Sequence, residues 1–114
     1  METFDLFVLR TGPALAAVGL REKEAHEKGM DYTVEEGDRS TDNSMKKVSA
    51  KHARYRVLLA KGTGRIVGAP LLGPDVAETV NLFALAIKHA LTASNLKETR
   101  FAFPTFIYDV RGLI

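Results

Sequence analysis

Residues 73–91, GPDVAETVNLFALAIKHAL, constrain the fold more than any other stretch of this 114-residue chain. Val76, Val80, Phe83, Ile87 and Leu91 recur at spacings of 4, 3, 4 and 4, which sets them along one side of an α-helix. Asp75 stands at the predicted N-cap with Glu78 three residues on, the spacing of a capping box. One apolar stripe is enough to seat such a helix on a sheet. Leu82, Leu85 and Ala86 add a second strip on a different side, and a surface helix needs only one. Two covers for it stand level here: a partner molecule, or the chain's own C-terminal helix.

The sheet is readable just upstream. ARYRVLLAK and RIVGAPLLG flank Gly62-Thr63-Gly64, a glycine-bearing turn between two strand-like runs, and so predict a β-hairpin. Alternation puts Tyr55, Val57 and Leu59 on one face of the first strand and Arg54 and Arg56 on the other. Pro70 predicts an edge position or a bulge at the end of the second, because proline cannot donate to a ladder. Phe4–Arg10 and the MDYTVEEG segment read as further strands, and LREKEAHEKG as a charged helix stopped by Gly29. Residues 37–52 turn polar, a loop or weak edge element, and TASNLKETRF forms a short helix capped by Thr92 or Ser94 and anchored by Leu96. Pro104 disfavours helix at Phe103, and a last short helix is expected from Thr105. The sum is one α+β domain, an antiparallel β-sheet with helices packed on one face.

Composition removes several classes of function. With 46% hydrophobic and 26% charged residues the chain can bury a core, and without cysteine it has no disulfide scaffold, thiol nucleophile or thiolate metal site. His26, His52 and His89 lie far apart at no metal-ligand spacing, so no metal site is expected. GTG is too short for a phosphate loop, and Ser40, Ser44, Ser49 and Ser94 lack a nucleophile-elbow motif. No apolar run reaches the ~20 residues of a membrane helix, and METFDLFVLR lacks the pattern of a signal peptide, so a cytoplasmic location is the default. The net charge is only +2, from 16 Lys and Arg against 14 Asp and Glu. Lys46, Lys47, Lys51, Arg54 and Arg56 support the alternative of a small basic α+β binding module, for nucleic acid or protein, without a redox role. A chain of this kind packs and associates; it carries no pocket chemistry of its own.

The order of motifs from Thr63 onward resembles the C-terminal dimerisation domain of the pyridine nucleotide–disulfide oxidoreductases, the flavoprotein family of glutathione reductase and dihydrolipoamide dehydrogenase. The matching elements are Thr63 to Ala69, Gly73 to Glu78, Ala84 to Lys88, Leu91 to Leu96 and Phe103 to Thr105. Upstream, TGPALAAVGLREKEAHEKG is similar to the family's entry into the domain, so the likeness spans nearly the whole chain.

The resemblance implies a two-fold homodimer with Leu82, Leu85, Ala86, His89 and Phe106 at the interface. It implies a single dimerisation domain over residues 1–114, with FAD and NAD(P)H bound by other domains of a parent oxidoreductase, no nucleic acid or membrane as partner, and no catalysis by this chain alone. An excised C-terminal domain fits this, and a separately encoded relic is the other reading. The backbone of Phe103, Pro104 and Thr105 would lie near the partner's flavin, with a cis Phe103–Pro104 bond. In the family's reductases the residue before Pro-Thr is a His, with a Glu five positions after it, the pair that moves a proton on the partner's thiol. Here Phe103 and Tyr108 occupy those positions, and Asp109 is one residue out of register. A phenyl ring moves no proton, so no catalytic residue is assigned; filling the core is the other use for two aromatics there. Relatives with an aromatic before Pro-Thr include the soluble transhydrogenase type, which needs no dithiol.

Overall fold

A computed structural model describes residues 6–9, 14–38, 53–103, 105–112 and 114. The polar stretch 39–52, with Lys46, Lys47, Lys51 and His52, lies outside the described residues, as does Pro104 and with it the expected cis bond. Five strands form one antiparallel sheet: β1 (Leu6–Leu9), β2 (Leu15–Gly19), β3 (Tyr32–Asp38), β4 (Arg54–Ala60) and β5 (Ile66–Leu72), in the order β1-β2-β5-β4-β3. Among the described residues three α-helices accompany them, α1 (Glu22–Glu27), α2 (Val76–Lys88) and α3 (Ala93–Glu98), and a 3₁₀ helix spans Tyr108–Gly112. The class is α+β, as the residues predict.

The hairpin forms at β4–β5, with Gly62 and Gly64 supplying left-handed turn geometry at φ of 88° and 73°. Pro70 departs from expectation: β5 is the central strand, and Pro70 sits inside it opposite Ala17 of β2. The position is tolerated because the β4–β5 register omits the stretch at Ala69 and Pro70, so the missing N–H falls in a local gap of that ladder. β2 is a strand that the pattern did not announce, since LAAVG is poor in β-formers. Its alternation nonetheless buries Ala16 and Val18.

A bulge divides the core. Leu58 faces Gly68 while Leu59 faces Ile66, so Val67 is the extra residue on β5. Val57, Leu59, Ile66, Ala69 and Leu71 join Val76, Val80, Phe83 and Ala86 of α2, Leu96 of α3 and Val110 in the main core. Leu58 and Val67 join Ala25 of α1 in a second cluster. Because Leu58 alternates with Val57 and Leu59, that cluster lies on the opposite face. The expected one-sided packing therefore describes α2 and α3, and the six-residue α1 is the exception.

The chain reaches α1 through a close backbone crossing. Gly19 and Gly68 are ladder partners, and Leu20 donates its N–H to Val67 O at 2.9 Å directly after. A Cβ on Gly68 would collide with the Leu20 carbonyl oxygen, and only glycine admits that approach. Arg56 then ties α1 to the sheet, its guanidinium meeting Glu22 of α1 and, at 2.8 Å, Glu36 of β3.

Asp75 is the N-cap of α2 by position, in left-handed geometry at φ 61°, but its side chain makes no cap hydrogen bond. The Asp75–Glu78 capping box does not form; in that geometry the Asp75 carbonyl instead accepts the N–H groups of Glu78 and Thr79. The reciprocal box appears at α3, where Thr92 Oγ1 accepts from Asn95 N–H and Asn95 Oδ1 accepts from Thr92 N–H. Ala93 N–H to Gly64 O and Ile66 N–H to Leu91 O fasten this junction onto the hairpin turn.

Candidate functional site

The α2 helix sorts the two apolar strips. Val76, Val80 and Phe83 are fully buried, with Ile87 and Leu91 half-buried at the same core. The second strip is split by the same surface. Ala86 is 0% exposed in the core, so its side chain has no area to offer a second molecule. Leu82 is half-buried against the core. Leu85 is 53% exposed, and His89, four residues on, is exposed on the same side of the helix.

The second surface is the segment from Ala102 to Gly112. Thr105 organises it: its hydroxyl donates to Ala102 O at 2.7 Å and accepts from Tyr108 N–H at 3.0 Å. Asp109 N–H and Val110 N–H then bond back to Thr105 O and Ile107 O, closing the 3₁₀ turn. This loop brings the Phe103 and Tyr108 rings together edge to face, centroids 4.8 Å apart and planes at 69°. Such a pair is favourable by about 0.5–1.5 kcal/mol beyond burial, toward the low end where it faces water. Phe103 is 61% exposed, so it does not fill the core; Tyr108 and Phe106 are half-buried.

The segment packs on α3, and Val110 plugs into the main core. The structure thus joins Phe103, Thr105 and Tyr108 in one loop and places Leu85 and His89 on a separate element. Spacing alone did not reveal that Phe103 and Tyr108 touch; the five-residue offset across a proline bend was the available signal.

The described members of the basic cluster, Arg54 and Arg56, stand against acids. Besides the two carboxylates on Arg56, Asp38 stands opposite Arg54 in the β3–β4 ladder. Cross-strand pairs of opposite charge of this sort hold a sheet and do not leave a stripe for phosphates. The nucleic-acid reading is not favoured.

The topology is one antiparallel sheet with helices, and its exposed large apolar side chains among the described residues are Leu85 on α2, Phe103 in the C-terminal loop, and Leu6, Phe7 and Leu9 on the edge strand β1. Residues 7–111 match the pyridine nucleotide-disulphide oxidoreductase dimerisation domain, and the chain belongs to that family. It is 32% identical over 104 residues to an uncharacterised 19.7 kDa protein of a mercuric resistance operon in Staphylococcus aureus, covering 91% of this chain and 58% of that protein. It is 31% identical over 98 residues to human mitochondrial dihydrolipoyl dehydrogenase, covering 86% of this chain but only 19% of the enzyme. The fold is shared with the HOCl-induced flavoprotein disulfide reductase RclA of Escherichia coli, at a TM-score of 0.90 and 22% identity over 98% of this chain and 26% of that one. LpdA of Mycobacterium tuberculosis superposes with a TM-score of 0.87 at 18% identity, over 96% of this chain and 24% of that one.

Proposed function

We propose that this dimerisation domain pairs with a second copy of itself around a two-fold axis, and that it serves a parent oxidoreductase whose FAD- and NAD(P)H-binding domains lie outside this sequence. Leu85, His89 and Phe106, with the half-buried Leu82, form the contact. The observation that carries the reading is the 53% exposure of Leu85 on α2, a helix whose other apolar stripe is already buried in the domain's own core. A two-fold contact covers the same patch on both copies, so each exposed side chain is buried twice.

The backbone of Phe103, Pro104 and Thr105 is assigned to the approach to the partner's flavin. The residues here fit an edge contact and not a cofactor pocket, because Thr105 Oγ1 already donates and accepts within its own loop. FAD, when bound by the parent enzyme, supplies two-electron transfer from the nicotinamide. This chain supplies an aromatic edge from Phe103 and Tyr108, and catalyses nothing alone. With Phe103 at the family's proton-transferring position, thiol protonation has no imidazole here. The cytoplasm is the compartment assigned, and no described helix is long and apolar enough to cross a membrane.

Sedimentation equilibrium over a wide concentration range tests the reading. A mass approaching twice 12.5 kDa supports it, and a single 12.5 kDa species at every concentration opposes it.

A further inference from the structure

The loop that carries Phe103 and Tyr108 is shaped by its own short-range hydrogen bonds, and those bonds do not attach it to the body of the domain. A bond across 57 residues does. The Tyr55 hydroxyl, on β4, donates to the carbonyl oxygen of Gly112 at 3.3 Å, at the far end of the 3₁₀ helix. Tyr55 reaches this position across a seat made by a glycine. Gly37 of β3 is its ladder partner, and a Cβ there would come within 3.0 Å of Tyr55 Oη and 3.2 Å of Cε1. That is tighter than ordinary contact, so a bare α-carbon is what lets the ring stay where it is. The ring also packs against the main core, two positions from Val57, while Val110 inserts into the same core from the segment itself.

We propose that Tyr55 is a positioning residue that latches the C-terminal 3₁₀ helix to the sheet and thereby holds the loop of Phe103, Phe106 and Tyr108 in place, so that Phe106 is presented for association with a second copy. Val110 fixes the depth of the segment, and Tyr55 fixes its far end. The Thr105 turn then has one rigid side on which to set the two rings. Gly37 acts through Tyr55 and not through any contact of its own with the segment. The association half of this proposal rests on the dimer reading above; the latch half does not.

The test uses the full 114-residue chain with Tyr55→Phe, which keeps the ring and removes the donor. Gly37→Ala, which crowds the ring and leaves the hydroxyl, is the second variant. Hydrogen exchange is followed at the amides of Tyr108, Asp109 and Val110, and self-association by sedimentation. Both variants should exchange faster at those three amides while the amides of β5 keep their protection. Their dissociation constants should rise roughly three- to tenfold, the weight of about one neutral hydrogen bond. Unchanged exchange in Tyr55→Phe overturns the latch. Faster exchange with unchanged self-association overturns the role in presentation. A wild-type chain that never self-associates overturns that role together with the dimer reading, and the exchange measurement still decides the latch.

Discussion

Leu85→Ala isolates the contribution of one exposed side chain to association. Burying a whole leucine side chain is favourable by about 1.5–3 kcal/mol. Leu85 is 53% exposed in the protomer, so association has about half of that left to gain, on the order of 0.8–1.6 kcal/mol per copy. Two-fold symmetry counts the residue twice, which raises the expected loss to about 1.5–3 kcal/mol, or a rise of roughly ten- to 150-fold in the dissociation constant. The fold should be untouched, because the core side of α2 is built from Val76, Val80, Phe83 and Ala86. Leu9→Ala on the edge strand β1, where Leu9 is 52% exposed, removes a matched area outside the proposed contact. Sedimentation equilibrium reads both variants beside the parent chain, with thermal unfolding as a control. Equal effects from the two leucines, or none from Leu85, would refute the reasoning that places the second copy on α2.

Four further substitutions probe the framework. Gly68→Ala drives a methyl group into the Leu20 carbonyl and should cost about 2–4 kcal/mol in urea unfolding, as overpacking plus loss of the Leu20–Val67 hydrogen bond. Gly62→Ala, with open space around it and only an unfavourable φ of 88°, should cost no more than about 1–2 kcal/mol. Thr79→Val should stabilise the domain by about 1 kcal/mol, because the Thr79 hydroxyl is buried without a hydrogen-bond partner among the described residues; a lower midpoint would contradict this. Ala90→Gly should stabilise the domain slightly, by about 0.5–1 kcal/mol, seen as a higher unfolding midpoint, since Ala90 follows α2 at φ 52°, where glycine pays no steric penalty.

The β4–β5 hairpin and α2 were legible because each is specified locally, by alternation around a glycine turn and by a helical stripe. β2 was not, since the two alanines in LAAVG have little strand preference and the segment becomes a strand only between β1 and β5. Pro70 misled for a related reason: a rule about single residues cannot anticipate which stretch of a ladder its neighbours leave unpaired. The division of the second apolar strip was also invisible. Ala86 and Leu85 are adjacent in sequence, and which of them faces the core depends on how α2 lies across β2 and β5. At the candidate site, the two aromatics and their offset could be read directly, whereas their contact depends on the turn that Thr105 closes.

The bulge at Val67 has a consequence for how the domain opens. The sheet separates a large core under α2 from a small one under α1, and the bulge turns Val67 away from the face of Ala69 and Leu71 into the smaller one, whose buried members among the described residues are Ala25, Leu58 and Val67. Burial of so few side chains sets a low free energy for detaching α1, well below that for global unfolding. The α1 side can therefore breathe, or accumulate substitutions, while the opposite side keeps α2, α3 and the C-terminal loop in register. The proposed association surface thus lies on the opposite side of the sheet from the smaller core.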